Sequence, residues 1–414
     1  MDKAKAIKYC DRAIEISLCA MAFYIPISNA LIESFAGLAI TAWLVKKIIF
    51  GFSLKRLFPG NFLSLSVWVY VAAMFLSALF SSAHIISAKH FVFKTVEYVL
   101  LFFIAAEIAD LRVLRNVLIA MLFAACLTGI DGIQQFFTHF DFLRHRNQVI
   151  VWRINGPFTT PNDFSNYLAT LLPLAAVFSF INFNKKWIRP ALRVLSVILF
   201  VCLVLAATRS AWVAVSASLL LALLFGQIRL FLAGVLLILF VFLTFPFLPA
   251  EVRYRATHFF YFHEAGAYFH RKVLWDMGVN MLAQKPIFGQ GLGTFMYNFE
   301  KFQPAYYPSN WEISYAHNCF LQIAAETGMF GLLSFMAMVS MLFYTCFRRI
   351  WSMVKGNLSY TVCGLLLGIC AYLVASFFDT CLYSLSLATL FWMMMGLTVA
   401  ALKLSGNNEN NIMV

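Results

Sequence analysis

Apolar runs recur along the chain, separated by short polar or basic stretches. A run of roughly 18 or more residues crosses about 30 Å of hydrocarbon as a helix. The runs lie near residues 13–32, 36–54, 62–80, 91–109, 113–131, 163–181, 191–208, 210–226, 230–248, 317–346, 358–377 and 384–402. They lack the polar–apolar alternation of barrel strands, and a chain in lipid must satisfy its own backbone hydrogen bonds, which leaves helices. The pattern predicts an all-α integral membrane protein with about twelve transmembrane helices. One long interval interrupts it, a large loop between the ninth and tenth helices. The chain divides into 1–248 (helices one to nine, with an outer loop at 132–162), 249–316 (the large loop), and 317–414 (helices ten to twelve and a tail). The tail's polar stretch 406–411 reads as disordered.

Composition agrees with this reading. The chain is 62% hydrophobic and 12% charged, too little polar material to wrap a soluble core of 414 residues. The Lys-rich start and first apolar run imitate a signal peptide, but no small-x-small cleavage site follows, so an uncleaved first helix is predicted. The net charge of +13 points to nucleic acid in a soluble protein. Here its distribution argues for topology instead. With the N-terminus inside, the inner loops hold 19 of the 31 Lys and Arg, including Lys46, Lys47, Lys55, Arg56, Arg348, Arg349 and Lys355. Of the other 12, six lie in the long loop, where the bias counts little. Both termini are therefore predicted to be cytoplasmic. All eight histidines then lie outside or at the outer boundary, as do Arg153, Arg209, Arg271 and Asp379. Any active site is predicted to face away from the cytoplasm. The nine cysteines show no CxxC spacing, so neither structural zinc nor an essential disulfide is expected.

Three stretches could carry chemistry. Arg209 stands in Thr208-Arg209-Ser210-Ala211-Trp212, between two apolar runs. It is either a snorkelling anchor or a planar guanidinium turned inward to an anion such as a phosphate. Its place on the outer side runs against the charge bias and favours the second. Arg271, with Trp275 one turn later, precedes the turn-rich Pro286–Gly293, which predicts an ordered helix and a tight loop. The spacing Gly289-Gln290-Gly291-Leu292-Gly293 follows no strand, so a backbone-turn role is expected and not a nucleotide site. His317 opens the tenth apolar run, followed by Asn318, and Gln322 and Glu326 recur at near-helical spacing within it. Polar groups are costly there and mark function by default, and a neutral imidazole can serve as a general base. The chain has no DxD pair, no HExxH and no GxSxG. Metal-dependent transfer is not expected, and neither is a serine nucleophile.

Four segments occur in a telling order: Arg153-Ile154-Asn155-Gly156-Pro157 through Pro161-Asn162; Thr208-Arg209 through Trp212; Arg271, Trp275 and Pro286 through Gly291; and His317-Asn318, Glu326, Gly328 and Gly331. Together they resemble the O-antigen ligase and polymerase superfamily of membrane glycosyltransferases, over roughly residues 150–380. The resemblance implies a GT-C-type, metal-independent and inverting enzyme of the bacterial inner membrane, without a cofactor and with a periplasmic active site. Its donor would be undecaprenyl-pyrophosphate-linked O-antigen. Its acceptor, in the ligase branch, would be the lipid A–core oligosaccharide. By this analogy Arg209 and Arg271 bind the pyrophosphate and stabilise it as it leaves, and His317 is the base. Arg153, Asn162, Trp275, Asn318 and Asp379 line the substrate site. Besides membrane lipids and these substrates no partner is implied, and no nucleic acid. An O-antigen polymerase shares the donor. Protein O-oligosaccharyltransferases share the motifs but usually carry a longer C-terminal region. A transporter is expected to place its charges mid-membrane, whereas the ionisable groups here cluster at the outer boundary, with Glu97 and Glu107 the main exceptions.

Overall fold

The computed structural model describes residues 3–51, 62–147, 153–181, 183–258, 267–305, 307, 313–350 and 356–412. Lys55, Arg56, Lys355, the end of the 36–54 run and residues 259–266, 306 and 308–312 of the long loop lie outside them. The fold is helical, with one short β-hairpin among the described residues, pairing Phe140–Asp141 with Arg146–Asn147. The helices are α1 (Lys3–Tyr24), α2 (Asn29–Ile49), α3 (Phe62–Leu79), α4 (His84–His90), α5 (Glu97–Ala106), α6 (Leu111–Thr138), α7 (Pro161–Phe178) and α8 (Ile188–Leu205). They continue as α9 (Arg209–Leu224), α10 (Ile228–Leu243), α11 (Ala250–Thr257), α12 (Ala267–Gln284), α13 (Phe299–Phe302), α14 (Cys319–Ile350), α15 (Asn357–Ala375) and α16 (Leu385–Ile412).

Six of these are long and apolar enough to cross a membrane: α3, α6, α8, α14, α15 and the first part of α16, Leu385–Ser405. Two more, α9 and α10, are apolar but shorter. The expectation of about twelve spans thus meets six of full length and apolarity among the described residues. The difference has a local cause. The other expected spans do form helices, but polar groups enter them. Glu33, Lys46 and Lys47 lie in α2, and Asn162, Asp163, Ser165 and Asn166 open α7. The run at 91–109 begins as a π-helical turn, Phe91–Val96, between α4 and α5. Two further boundaries move. Helix α6 runs on to Thr138, into the expected outer loop, and α16 continues through the polar tail that was expected to be disordered.

The centre of the bundle is α7 packed between α8 and α15, with α16 against α5 and α15. Small residues allow the close approach that membrane helices use. A Cβ on Gly368 would lie 2.4 Å from the Thr170 carbonyl oxygen, and one on Gly396 2.6 Å from that of Phe102. Helix α7 starts where Thr160 caps it, its hydroxyl accepting from the Asp163 N–H, with Pro161 preset in the first turn. The starts of α7, α9 and α14 and the end of α15 come together at one end of the bundle. The segment after α6 and the helices α11 and α12 cover that same end. Arg153 hydrogen-bonds to Asn162 and Thr208, Arg209 to His258, and the Cys319 N–H to the Ser376 carbonyl.

Helix α14 is broken at Gly328, whose φ of 67° and ψ of −174° interrupt the ladder. The loop after α12 fills the break. Pro286 and Ile287 carbonyls accept from the Met329 and Phe330 N–H groups, and the Gln290 and Gly291 N–H groups donate to Ala325 and Glu326. Gly289 and Gly328 meet back to back. A Cβ on either would come within 2.3 Å of the other strand's backbone. The Pro286–Gly293 stretch therefore serves backbone geometry, as its sequence suggests.

Candidate active site

Arg209 is the first residue of α9, where helix-terminal N–H groups and the guanidinium present positive charge together. Its approach is tightly made. Ala207 adopts a left-handed φ of 50°, a strained conformation for a residue with a Cβ. Arg153 straps this turn from both sides. Its Nε donates to the Ala206 carbonyl at 2.9 Å and its Nη2 to the Thr208 hydroxyl at 2.8 Å, with Asn162 Oδ1 at 3.2 Å. Arg209 Nη1 donates to the His258 carbonyl at 3.0 Å, which ties α9 to the end of α11. Arg255 of α11 pairs with Glu251 at 2.7 Å.

Arg271 stands on α12, half-buried. Burial first, and then Arg209 and Arg255, push its guanidinium below the ordinary range, against the pull of Asp379. Arg153 is lowered too, by burial and by Arg255, Arg209 and Arg271. Four arginines from separate parts of the chain thus crowd one another. A group held this way gains from an anion.

His317 does not begin α14 as its sequence position suggests. It precedes the capping residue Asn318 and has a left-handed φ of 48°. Asn318 Oδ1 accepts from the Phe320 and Leu321 N–H groups, both at 3.0 Å, and so starts the helix. The backbone before His317 is clamped. Trp275 Nε1 donates to the Ala316 carbonyl at 3.0 Å, and the Ala316 N–H donates to Gln322 Oε1 at 2.8 Å. His317 Nδ1 faces Asp379 Oδ1 at 3.3 Å. Burial alone raises the Asp379 carboxyl. The hydrogen bond and charge of His317, the Thr380 N–H and Arg271 outweigh it and hold the group below the usual carboxylate range. His270 lies beside His317, ring centroids 6.5 Å apart, with its Nε2 3.0 Å from the Tyr307 hydroxyl. Burial, His317 and Arg271 all lower its pKa.

The structure brings Arg153, Arg209, Arg271, His317 and Asp379 to one end of the bundle. Asn162, Trp275 and Asn318 stand beside them with a side-chain group engaged in an internal hydrogen bond. Sequence reading missed Asp163, Glu251 and Arg255. Only the Glu251–Arg255 spacing of four residues was a signal that could have found a pair. Asp163 sits close enough to Asp379 for the two carboxylates to repel. Among the described residues no group of three His, Cys, Asp or Glu side chains is arranged to hold a metal ion.

An apolar cavity of about 840 Å³ opens between α7, α8, α9 and α10. It runs from Arg193 on α8 to Trp212, Val252 and Ala256, so its far mouth lies one turn from Arg209 and against α11.

Residues 194–336 match the family model described as O-antigen ligase. This stretch is similar to the O-antigen ligase family. It bears out the resemblance read from the motifs and carries Arg209, Arg271, Trp275, His317 and Asn318. Arg153, Asn162 and Asp379 lie outside the matched residues and are brought to them by the fold. No curated protein matches the chain.

Proposed function

We propose that the protein is an O-antigen ligase. It transfers O-antigen polysaccharide from undecaprenyl pyrophosphate to the lipid A–core oligosaccharide at the periplasmic face of the bacterial inner membrane, with both termini cytoplasmic. The observation that carries this reading is the juxtaposition of crowded arginines and a His–Asp pair beside an apolar cavity. Pyrophosphate needs the first, acceptor activation the second, and a long isoprenoid chain the third.

In this reading Arg209 and Arg271 bind the pyrophosphate, with Arg153 holding the turn that aims Arg209. Asp379 accepts a hydrogen bond from His317 Nδ1–H, which leaves the Nε2 lone pair for the acceptor. His317 Nε2 takes the proton of the acceptor sugar hydroxyl. That oxygen attacks the anomeric carbon, the bond from this carbon to the pyrophosphate oxygen breaks, and the configuration inverts. Undecaprenyl pyrophosphate departs with the bonding electrons, and the arginines stabilise the charge it gains. Such preorganised stabilisation acts most strongly where charge develops in the transition state. No metal is required by this scheme, and cleavage of the donor's glycosyl–pyrophosphate bond, with its good leaving group, supplies the driving force.

Deleting the gene in an O-antigen-producing host tests the function. The ligase reading expects loss of all capped lipopolysaccharide and accumulation of lipid-linked polymer. Caps of a single repeat unit would identify a polymerase instead. An unchanged ladder on the gel would contradict both.

A further inference from the structure

Glu326 lies on α14 within the apolar core, 0% exposed. A buried carboxylate is costly unless its acceptor sites are filled. Four donors meet this one: the Gly293 N–H at 2.8 Å, the Phe295 N–H at 3.2 Å, Gln322 Nε2 at 3.1 Å and the Tyr383 hydroxyl at 3.0 Å. These donors come from three places. Gly293 and Phe295 end the loop that fills the break in α14. Gln322 holds the Ala316 N–H with its other end. Tyr383 closes the short 3-10 turn Cys381–Tyr383, which follows Asp379 and Thr380 directly.

We propose that Glu326 is a positioning residue for the His317–Asp379 pair, acting through Gln322 on the Ala316 backbone that leads into His317 and through Tyr383 on the turn that follows Asp379. The proposal rests on the transfer reading for what the pair does, but not for how the pair is held. His317 needs holding, because its left-handed φ of 48° is one that a residue with a Cβ leaves when released. Its own contact with Asp379, at 3.3 Å, is long for a hydrogen bond. The more rigid support comes from below. The Gln322 amide is anchored at both ends, one on Ala316 and one on Glu326. A displacement of about 1 Å at a catalytic group costs on the order of a hundredfold in rate. Loss of this support is therefore visible in turnover without any loss of substrate contact.

The test uses the full-length protein in nanodiscs with two variants. Glu326→Gln keeps the shape but turns an amide N–H₂ toward N–H donors. Tyr383→Phe removes a single hydroxyl and leaves the core filled. The proposal expects kcat per folded molecule to fall about 10–100-fold for Glu326→Gln and about 3–10-fold for Tyr383→Phe, with the donor KM unchanged. It also expects the double variant to fall less than the product of the two. Hydrogen exchange expects faster exchange at the Ala316 and Asn318 amides in both variants, with α15 and α16 unchanged. Exchange is read without any transfer assay. If the wild type transfers nothing, the functional reading fails while the exchange result still decides what Glu326 holds. Wild-type kcat per folded molecule in both variants overturns the proposal. So does unchanged exchange at Ala316 and Asn318, or a loss confined to folded yield.

Discussion

The two ends of the bundle handle charge in opposite ways. At the end where α2 and α5 finish and α6 begins, three lysines each meet an opposite charge or an oxygen. Lys46 pairs with Asp11, and Lys47 pairs with Glu107 at 2.7 Å. Trp43 Nε1 donates to the same Glu107 at 2.9 Å, and Lys403 donates to the Ala106 carbonyl at 2.9 Å. At the far end like charges are pressed together instead. Arg153, Arg209, Arg255 and Arg271 act on one another through a partly buried medium, and Arg153 and Arg271 are both lowered by it. Four residues with a Cβ near this far end, His139, His145, Ala207 and His317, have a left-handed φ. The first end is arranged for stability. The second stores unfavourable charge and backbone geometry, which is how sites that act on ligands are commonly built.

Breaking the far end at His317 has the largest effect. His317→Ala is expected to lower transfer about 10²–10⁴-fold, the usual contribution of a positioned general base. Turnover measured at saturating donor and matched folded protein checks this, and retention of more than half the rate would place the base elsewhere. Next come the arginines. Arg209→Ala or Arg271→Ala removes a charge-assisted contact of about 1.5–3 kcal/mol, or roughly tenfold to a few hundredfold in rate. Arg209→Lys is expected to recover only part, because a point charge cannot make a bidentate fork. Full transfer in both alanine variants would move the pyrophosphate site, with Arg153 the next candidate.

Asp379 sharpens the comparison through pH. Its folded pKa lies below the unfolded value of about 3.9. The ionised form therefore favours the folded state. That contribution is complete above about pH 4 and is lost as pH falls through the lower folded value. Thermal melts of the wild type and Asp379→Asn are expected to differ by a constant amount near neutrality. The gap should close on acidification below about pH 4. A gap that widens there contradicts the assignment. The smallest effect belongs to the other end. The Lys47–Glu107 pair is partly exposed, 19% and 33% for the two side chains, and pairs of this kind are worth about 0–1 kcal/mol. Lys47→Ala is expected to shift the melting temperature slightly and leave transfer unchanged. A large fall in transfer would mean the two ends are coupled.

Much of this contrast was legible in the chain. Apolar runs located the helices, and the words around Arg209, Arg271 and His317 located the far end. Those signals are local, and so is the stretch that matches the family model. What could not be read depends on distance along the chain. The resemblance places Asp379 with the substrate site, but its pairing with His317, 62 residues away, follows from no periodicity. The insertion of Pro286–Gly293 into the break at Gly328 is a backbone match between two segments, and the glycines alone suggested only a turn. The span count suffered from a different cause. Hydropathy marks apolar runs well, but helices such as α7 combine a polar start with deep burial, so length and composition no longer report how they sit.

The account stands on the claim that the crowded arginines are an anion site and that His317 works on the acceptor. Binding of a lipid-linked pyrophosphate analogue to the wild type, Arg209→Ala, Arg271→Ala and His317→Ala in nanodiscs tests both parts at once. The predicted result is weakened binding, roughly tenfold or more per arginine, with wild-type affinity in His317→Ala despite its lost turnover. Wild-type affinity in both arginine variants, or loss of binding in His317→Ala, would contradict the account.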